Sequence, residues 1–457
     1  MPETPQHMQA RTESAITHRN VLNIAWPIIL ANTATPLLGL ADTAVIGNFG
    51  STAELAAIAL GSLWFMLLYW SFGFLRMGTS GFTAQADGAG NSPEVRASLS
   101  RALLIASALG LAMLMLQIPI LGALQWLFSA SSEVETIAAE YFRIRLWAAP
   151  AHLGLFALFG VLVGLGESRT LMVLQLGLNG SNILLDLLFA GYFGMGAAGI
   201  ALGTAIAEYA ALCAGLLMVT RLLARKHPGP LFERARILDA ERLAGTLQAN
   251  TDILIRTFLM LLAFAWFTNQ GARLGDATLA ANHVLLQLIM FSAFFMDGFA
   301  FAAESLIGRA VGAGDRSRFE RSVRISSQWS ALTALALAAT ILIAGDAIIA
   351  LLTDLVAVRD AARLYLFWCA LYVACSFAAF QFDGVFIGAT RTRDLRNAAI
   401  ISVALFAPLG VFGTQHFGNH GLWASFVAYV LLRAITLWRR YPALRSGMFS
   451  GAANARQ

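Results

Sequence analysis

Long apolar runs recur along the whole chain, at about 21–47, 53–78, 97–123, 136–166, 169–190, 196–222, 248–273, 277–307, 320–343, 360–390, 394–414 and 418–438. Crossing a bilayer as a helix takes about 20 residues, and these runs reach that length. In lipid a spanning segment must satisfy its own backbone amides, which leaves helices as the solution for runs of this kind. The expected fold is therefore an all-α membrane protein of about twelve transmembrane helices. Only 12% of the residues are charged and 58% are hydrophobic, about half the charge of a typical soluble domain.

The net charge of +5 reads as loop topology rather than as a nucleic-acid footprint. If the N-terminus is cytoplasmic, Arg96, Arg101, Arg169, Arg225, Lys226, Arg234, Arg316 and Arg391 all fall in inner loops, and only Arg273 and Arg359 in outer ones. Both termini are therefore expected inside. Residues 1–20, with Arg11 and Arg19, do not resemble a signal peptide. Cys213, Cys369 and Cys375 all lie in apolar segments and read as packing residues.

The longest polar connection, 224–247, divides the chain. The expected organisation is an N-terminal segment 1–20, an N-lobe 21–223, a cytoplasmic linker 224–247, a C-lobe 248–440 and a cytoplasmic tail 441–457. The two six-helix lobes repeat. ADGAGN at 86–91 echoes AVGAGD at 310–315, and VGLGESRT at 163–170 echoes IGATRTRD at 387–394, both at an offset of 224 residues. With an even number of helices per lobe the repeat is parallel, and such repeats place a substrate site between the halves.

The first run, IAWPIILANTATPLLGLADTAVIG at 24–47, carries what a plain anchor does not need: Pro27, Pro36 and Asp42. An acid in a spanning segment is expensive and marks a functional site when a lined cavity receives it. The fifth run carries Asn182 and Asp186 and the sixth carries Thr204 and Glu208, each pair four residues apart and so on one face. By depth, Asp42, Tyr141, Asn182, Asp186 and Thr204 all fall in the outer half of the N-lobe. Two carboxylates in low dielectric cannot both stay ionised cheaply, so the set suits a proton site. Asp42, Asn182, Asp186 and Thr204 are equally a hard-oxygen set for Na+. Glu208 is expected to pair with Arg145. The prolines weaken the first helix, as a bend that responds to the site or as a fixed kink.

The repeat does not copy this acidic site, because the same offset maps Asp42 to Trp266 and Asp186 to Gly410. The C-lobe instead has Asp297 and Asp383 at the depth of Arg256 and Arg433. Trp64, Met66 and Tyr69 on the second helix, and Gln287, Met290, Phe291 and Asp297 on the eighth, are candidates for a substrate cavity. Thioethers adapt in shape and ring faces attract cations. No P-loop, metal-ligand spacing or nucleophile elbow appears. The expectation is no enzyme, no cofactor, and a proton or sodium gradient as the energy source.

PLLGLADTAVIGNFGS at 36–51, LRMGTSGFTAQADGAG at 75–90 and FDGVFIGATRTRDLRNA at 382–398 resemble the multidrug and toxic compound extrusion (MATE) family. The likeness is strongest to its DNA-damage-inducible (DinF) branch and covers essentially the whole chain. It implies two pseudo-symmetric six-helix lobes in a V shape. It also implies an N-lobe ion site at Asp42, Asn182, Asp186 and Thr204 with Tyr141 beside it, and a bending proline at Pro27. The acid that the sodium-coupled branch carries on its seventh helix is not matched apart from Asp252 near the inner end. The expected function is secondary active efflux of amphipathic or cationic organic compounds in exchange for protons, by alternating access. The alternatives are a Na+-coupled drug exporter, or an exporter of an organic acid or lipid-linked precursor. The expected setting is the bacterial inner membrane, with both termini cytoplasmic. The expected partners are the bilayer and small organic substrates and drugs, not nucleic acid, and the chain is expected to be a monomer.

Overall fold

A computed structural model describes residues 16–128 and 130–454. Arg11 and most of the expected N-terminal segment, with the last three residues of the tail, lie outside the described residues. The described chain is helical and contains no strand. Its elements are α1 (His18–Phe49), α2 (Thr52–Ser71), α3 (Phe74–Gly88), α4 (Ser92–Met115), α5 (Gln117–Leu127), α6 (Ser132–Leu146) and α7 (Ala149–Gly164). Then follow α8 (Ser168–Asp186), α9 (Gly196–Lys226), the short α10 (Arg234–Ile237), α11 (Ala240–Ala272), α12 (Asp276–Gly312), α13 (Arg316–Leu352), α14 (Val356–Gly388) and α15 (Thr392–Asn454).

Local chemistry sets several helix starts. Ser51 and Glu54 form a reciprocal capping box at α2. Asn91, Ser131 and Asp315 cap α4, α6 and α13 through their side-chain oxygens.

Among the described residues ten helical stretches, one of them α2 with α3, are long and apolar enough to cross a membrane, and α6 with α7, bent by 53° at their junction, makes an eleventh. The last of the ten, Thr392–Phe449, has 58 residues. At 1.5 Å per residue that far exceeds one bilayer core. Gly418, at φ 56° and ψ −138°, breaks it into two helices. Counted so, the spans agree with the twelve apolar runs.

The chain forms two compact units. Among the described residues, one is 27–261, and the other is 16–26 together with 262–454. The division thus falls inside α1, at Pro27, and inside α11. The 27–261 unit is built around Trp64, Phe65, Tyr141 and Phe142. The core of the other unit is an aromatic cluster of Phe267, Tyr372, Phe406, Trp423, Phe426 and Tyr429.

The internal repeat is visible in the packing of each unit. In one, Gly160 and Gly164 of α7 lie on the backbone of α3: a Cβ on either would meet the carbonyl oxygen of Arg76 at 2.6 Å or of Ser80 at 2.7 Å. In the other, Gly384 and Gly388 of α14 lie on the carbonyls of Ala300 and Glu304 of α12. All four pairs of positions are 224 residues apart. Small residues four apart let two helix backbones touch, a recurrent packing device in membranes.

The polar connection after α9 is held down by side chains that the sequence reading had assigned only to topology. Arg96, buried on α4, donates to the carbonyls of His227, Pro228 and Pro230. Gly229 has φ +135°, and a Cβ there would fall 2.6 Å from the Arg96 guanidinium. Arg101 donates to the Arg236 carbonyl at 3.0 Å and pairs with Glu94, which also takes Arg242.

Candidate functional site

Six helices of the 27–261 unit carry polar side chains into an otherwise apolar interior. α1 supplies Asp42, about four turns beyond Pro27. α8 supplies Asn182 and Asp186, α9 supplies Thr204 and Glu208, and α6 supplies Tyr141 and Arg145. α2 adds Tyr69 and α7 adds His152. Asp42 is 7% exposed and Asp186 fully buried.

α8 leaves α-helical geometry immediately after Asp186, and Leu187–Tyr192 winds as a π-helix. Such turns are rare and frequent at functional sites. From α9, Gly203 makes room for the acid, since a Cβ there would stand 2.6 Å from Asp186 Oδ1. Gly61 of α2 does the same for the Tyr141 ring, at 2.5 Å.

The carboxyls of Asp42 and Asp186 are within electrostatic reach of each other and of Arg145. Asp42 Oδ1, both carboxyl oxygens of Asp186 and Asn182 Oδ1 are nevertheless buried with no hydrogen-bond partner. Thr204 Oγ1 donates to the Ile200 carbonyl of its own helix at 2.9 Å. A buried acceptor without a donor is costly, and several on one site mark a place where a proton or a cation would be welcome.

The expected Arg145–Glu208 ion pair does not form. Arg145 turns into an aromatic pocket, where it bonds Tyr141 Oη and lies 4.8 Å over the Phe65 ring. Glu208 Oε1 instead meets His152 Nδ1 at 3.0 Å, and Arg145 acts on Glu208 only at longer range. The sequence reading missed His152. Its one signal was a polar side chain inside the apolar run AAPAHLGLF at 148–156.

The aromatic and Met candidates are dispersed. Trp64 and Tyr69 lie in the core of their unit, while Met66 is half exposed. In the other unit Gln287 and Phe291 are exposed, and Met290 and Asp297 partly buried. There Asp383 pairs with Arg433 at 2.7 Å, both buried, at the common depth that the sequence had given them.

The positions that repeat the acidic pair also meet. Trp266 sits on Gly410 so closely that a Cβ on the glycine would overlap the indole ring, which also packs edge-on against Phe406 at 4.9 Å. The second unit thus keeps the neighbour relation of Asp42 and Asp186 but fills it with an indole and a glycine.

The family model MatE matches this chain twice, over residues 27–188 and 253–412. The chain belongs to the MatE family. The two matched stretches lie at nearly the offset of the internal repeat, so the family unit is one half of the chain. The chain is 38% identical to DNA damage-inducible protein F of Escherichia coli, over 92% of this chain and 91% of that protein. It is 28% identical to the probable multidrug resistance protein NorM of Deinococcus radiodurans, over 93% and 94% of the two chains. The solved structure of an outward-facing multidrug resistance MATE family transporter superposes with a TM-score of 0.84 at 19% identity, covering 94% of this chain and 96% of that one. MatE proteins are membrane transporters and not enzymes, and the multi-pass helical fold accords with this.

Proposed function

We propose that this MatE transporter exports amphipathic or cationic organic compounds in exchange for protons, and that Asp42 and Asp186 carry the coupling proton. The observation behind this reading is the pair itself: two buried carboxyls, three of whose four oxygens lack hydrogen-bond partners, beside the cation Arg145. A proton shared by the pair removes one of two like charges in low dielectric. Asn182, Thr204 and Tyr141 tune the pair. Pro27 lacks the N–H that would tie it to the preceding turn. It stands where α1 passes from one compact unit to the other, so it is the natural bending point of that helix. The substrate class rests on the relatives named for multidrug resistance. Differential affinity of substrate and proton for two states suffices for exchange. In this reading the protein sits in the bacterial inner membrane as a monomer with both termini cytoplasmic, and residues 21–223 and 248–440 work as the two lobes.

A second reading is favoured by one feature. Asn182 Oδ1 is an unpartnered oxygen one turn before Asp186 on α8, and with Thr204 it would complete an oxygen donor set suited to Na+.

Proteoliposomes holding the full chain and ethidium, with proton and sodium gradients imposed separately, decide between the two. Protons alone should drive ethidium movement. Asp42→Asn, close in shape to the protonated acid, should fold normally and fall to about the rate of protein-free vesicles. Drive by sodium alone would transfer the site to the second reading. Equal rates in wild type and Asp42→Asn would remove Asp42 from the mechanism.

A further inference from the structure

Arg145 acts electrostatically on the Asp42–Asp186 pair and on Glu208, a member of a second protonatable pair. Glu208 lies one turn from Thr204 on α9, 4% exposed, and its Oε2 has no hydrogen-bond partner. Its Oε1 is 3.0 Å from His152 Nδ1. The imidazole is clamped flat against Tyr69, with ring centroids 3.8 Å apart, and edge-on against Phe156. Tyr69 Oη is itself buried and unpartnered.

The charged and titratable groups around this pair can be named element by element. α2 brings Tyr69, α6 brings Tyr141 and Arg145, and α9 adds Tyr209 next to Glu208. α1 and α8 bring Asp42 and Asp186, which also feel Arg145. α4 meets α7 here through Gly110 on Pro150, and α3, which carries the buried Arg76, packs on α7 at Gly160, about two turns further along.

Charge balance follows from this inventory. Three buried carboxyls, Asp42, Asp186 and Glu208, face one buried guanidinium. Uncompensated charge in a membrane interior is expensive. Neutrality therefore requires two bound protons. The Asp42–Asp186 pair accounts for one, since two carboxyls sharing one proton leave a single negative charge for Arg145. The other belongs to the imidazole–carboxylate pair, which is neutral with one proton and negative without it.

We propose that His152 and Glu208 hold a second exchangeable proton, and that Arg145 is the counter-charge shared by the two proton sites. When the Asp42–Asp186 proton leaves, Arg145 is drawn to that pair and Glu208 loses its support. When the Glu208–His152 proton leaves, the draw reverses. One export cycle thus moves two protons. This rests on the proton-exchange reading above.

The test is the number of protons moved per ethidium, obtained in proteoliposomes from the proton gradient that just balances a fixed ethidium gradient. The expected ratio is about two for wild type and about one for Glu208→Gln and for Glu208→Ala, the first of which keeps a hydrogen-bonding side chain in place. Either variant suffices if the other does not fold. A merely structural pair would change rates and leave the ratio alone, so an unchanged ratio in a folded variant overturns the proposal. Loss of ethidium export in Asp42→Asn with normal proton drive in wild type tests the parent reading by itself. A wild type indifferent to the proton gradient would overturn both.

Discussion

At single residues, the site depends on what is small as much as on what is charged. Gly203 faces Asp186 with no room for a methyl group. Gly203→Ala should cost about 1–3 kcal/mol through overpacking, read as a lowered thermal unfolding midpoint in detergent, and should displace the carboxyl enough to slow export. In the other unit Asp383 does different work. Its carboxylate holds Arg433 at 2.7 Å in a buried pair. Removing one partner of such a pair costs about 3–5 kcal/mol. Asp383→Ala should therefore depress yield and unfolding temperature, while the protein that survives keeps its dependence on the driving ion. Normal stability with lost ion dependence would mean that the second unit has an ion site of its own. Asp42, Asn182 and Asp186 were legible from sequence because polar residues stand out in apolar runs, and helical spacing gives their face and depth. His152 was not, because depth does not say which of two nitrogen-bearing side chains an acid will meet. Arg145 had an alternative in the ring of Phe65 and the hydroxyl of Tyr141, and only the packed rings reveal that.

Among elements, the spans followed from apolar length alone, whereas the helix starts set by Ser51, Asn91, Ser131 and Asp315 came only with the structure. The polar connection did not. Its composition suggests a solvated linker, yet it is tied to the start of α4 by Arg96, whose guanidinium takes three carbonyls of the turn at 227–230. A cation gives no sequence signal that distinguishes a partner in lipid headgroups from one in backbone oxygen. Hydrogen bonds from a charged donor contribute about 1.5–3 kcal/mol each. Arg96→Ala should release this turn while the spans stay folded. Limited trypsin digestion should then cut at Arg225, Lys226 or Arg234 many times faster than in wild type. Unchanged cleavage would mean that Arg101, Glu94 and Arg242 suffice to hold it.

For the whole molecule, the repeat of 224 residues was readable in short echoes. Its mechanical content, glycines seated on the backbone of a neighbouring helix in each unit, was not, because glycine has no side chain to leave a pattern. The orientation of the chain is an expectation from Arg and Lys placement, and Ala235 tests it. Ala235→Cys should resist a membrane-impermeant maleimide in intact cells and react once the cells are opened. Labelling from outside would invert the topology.

The contact of Trp266 with Gly410 has a consequence for how such a chain can change. Gly410→Asp alone would drive a carboxyl into the indole. Trp266→Asp alone would leave a solitary acid above a hole the size of the lost ring. Each path to a second acidic pair passes through a defective intermediate, so the two halves are held in unlike roles by epistasis. Only the double substitution reaches a viable partner site, and single-step variation will keep returning a transporter with its acidic pair on one side.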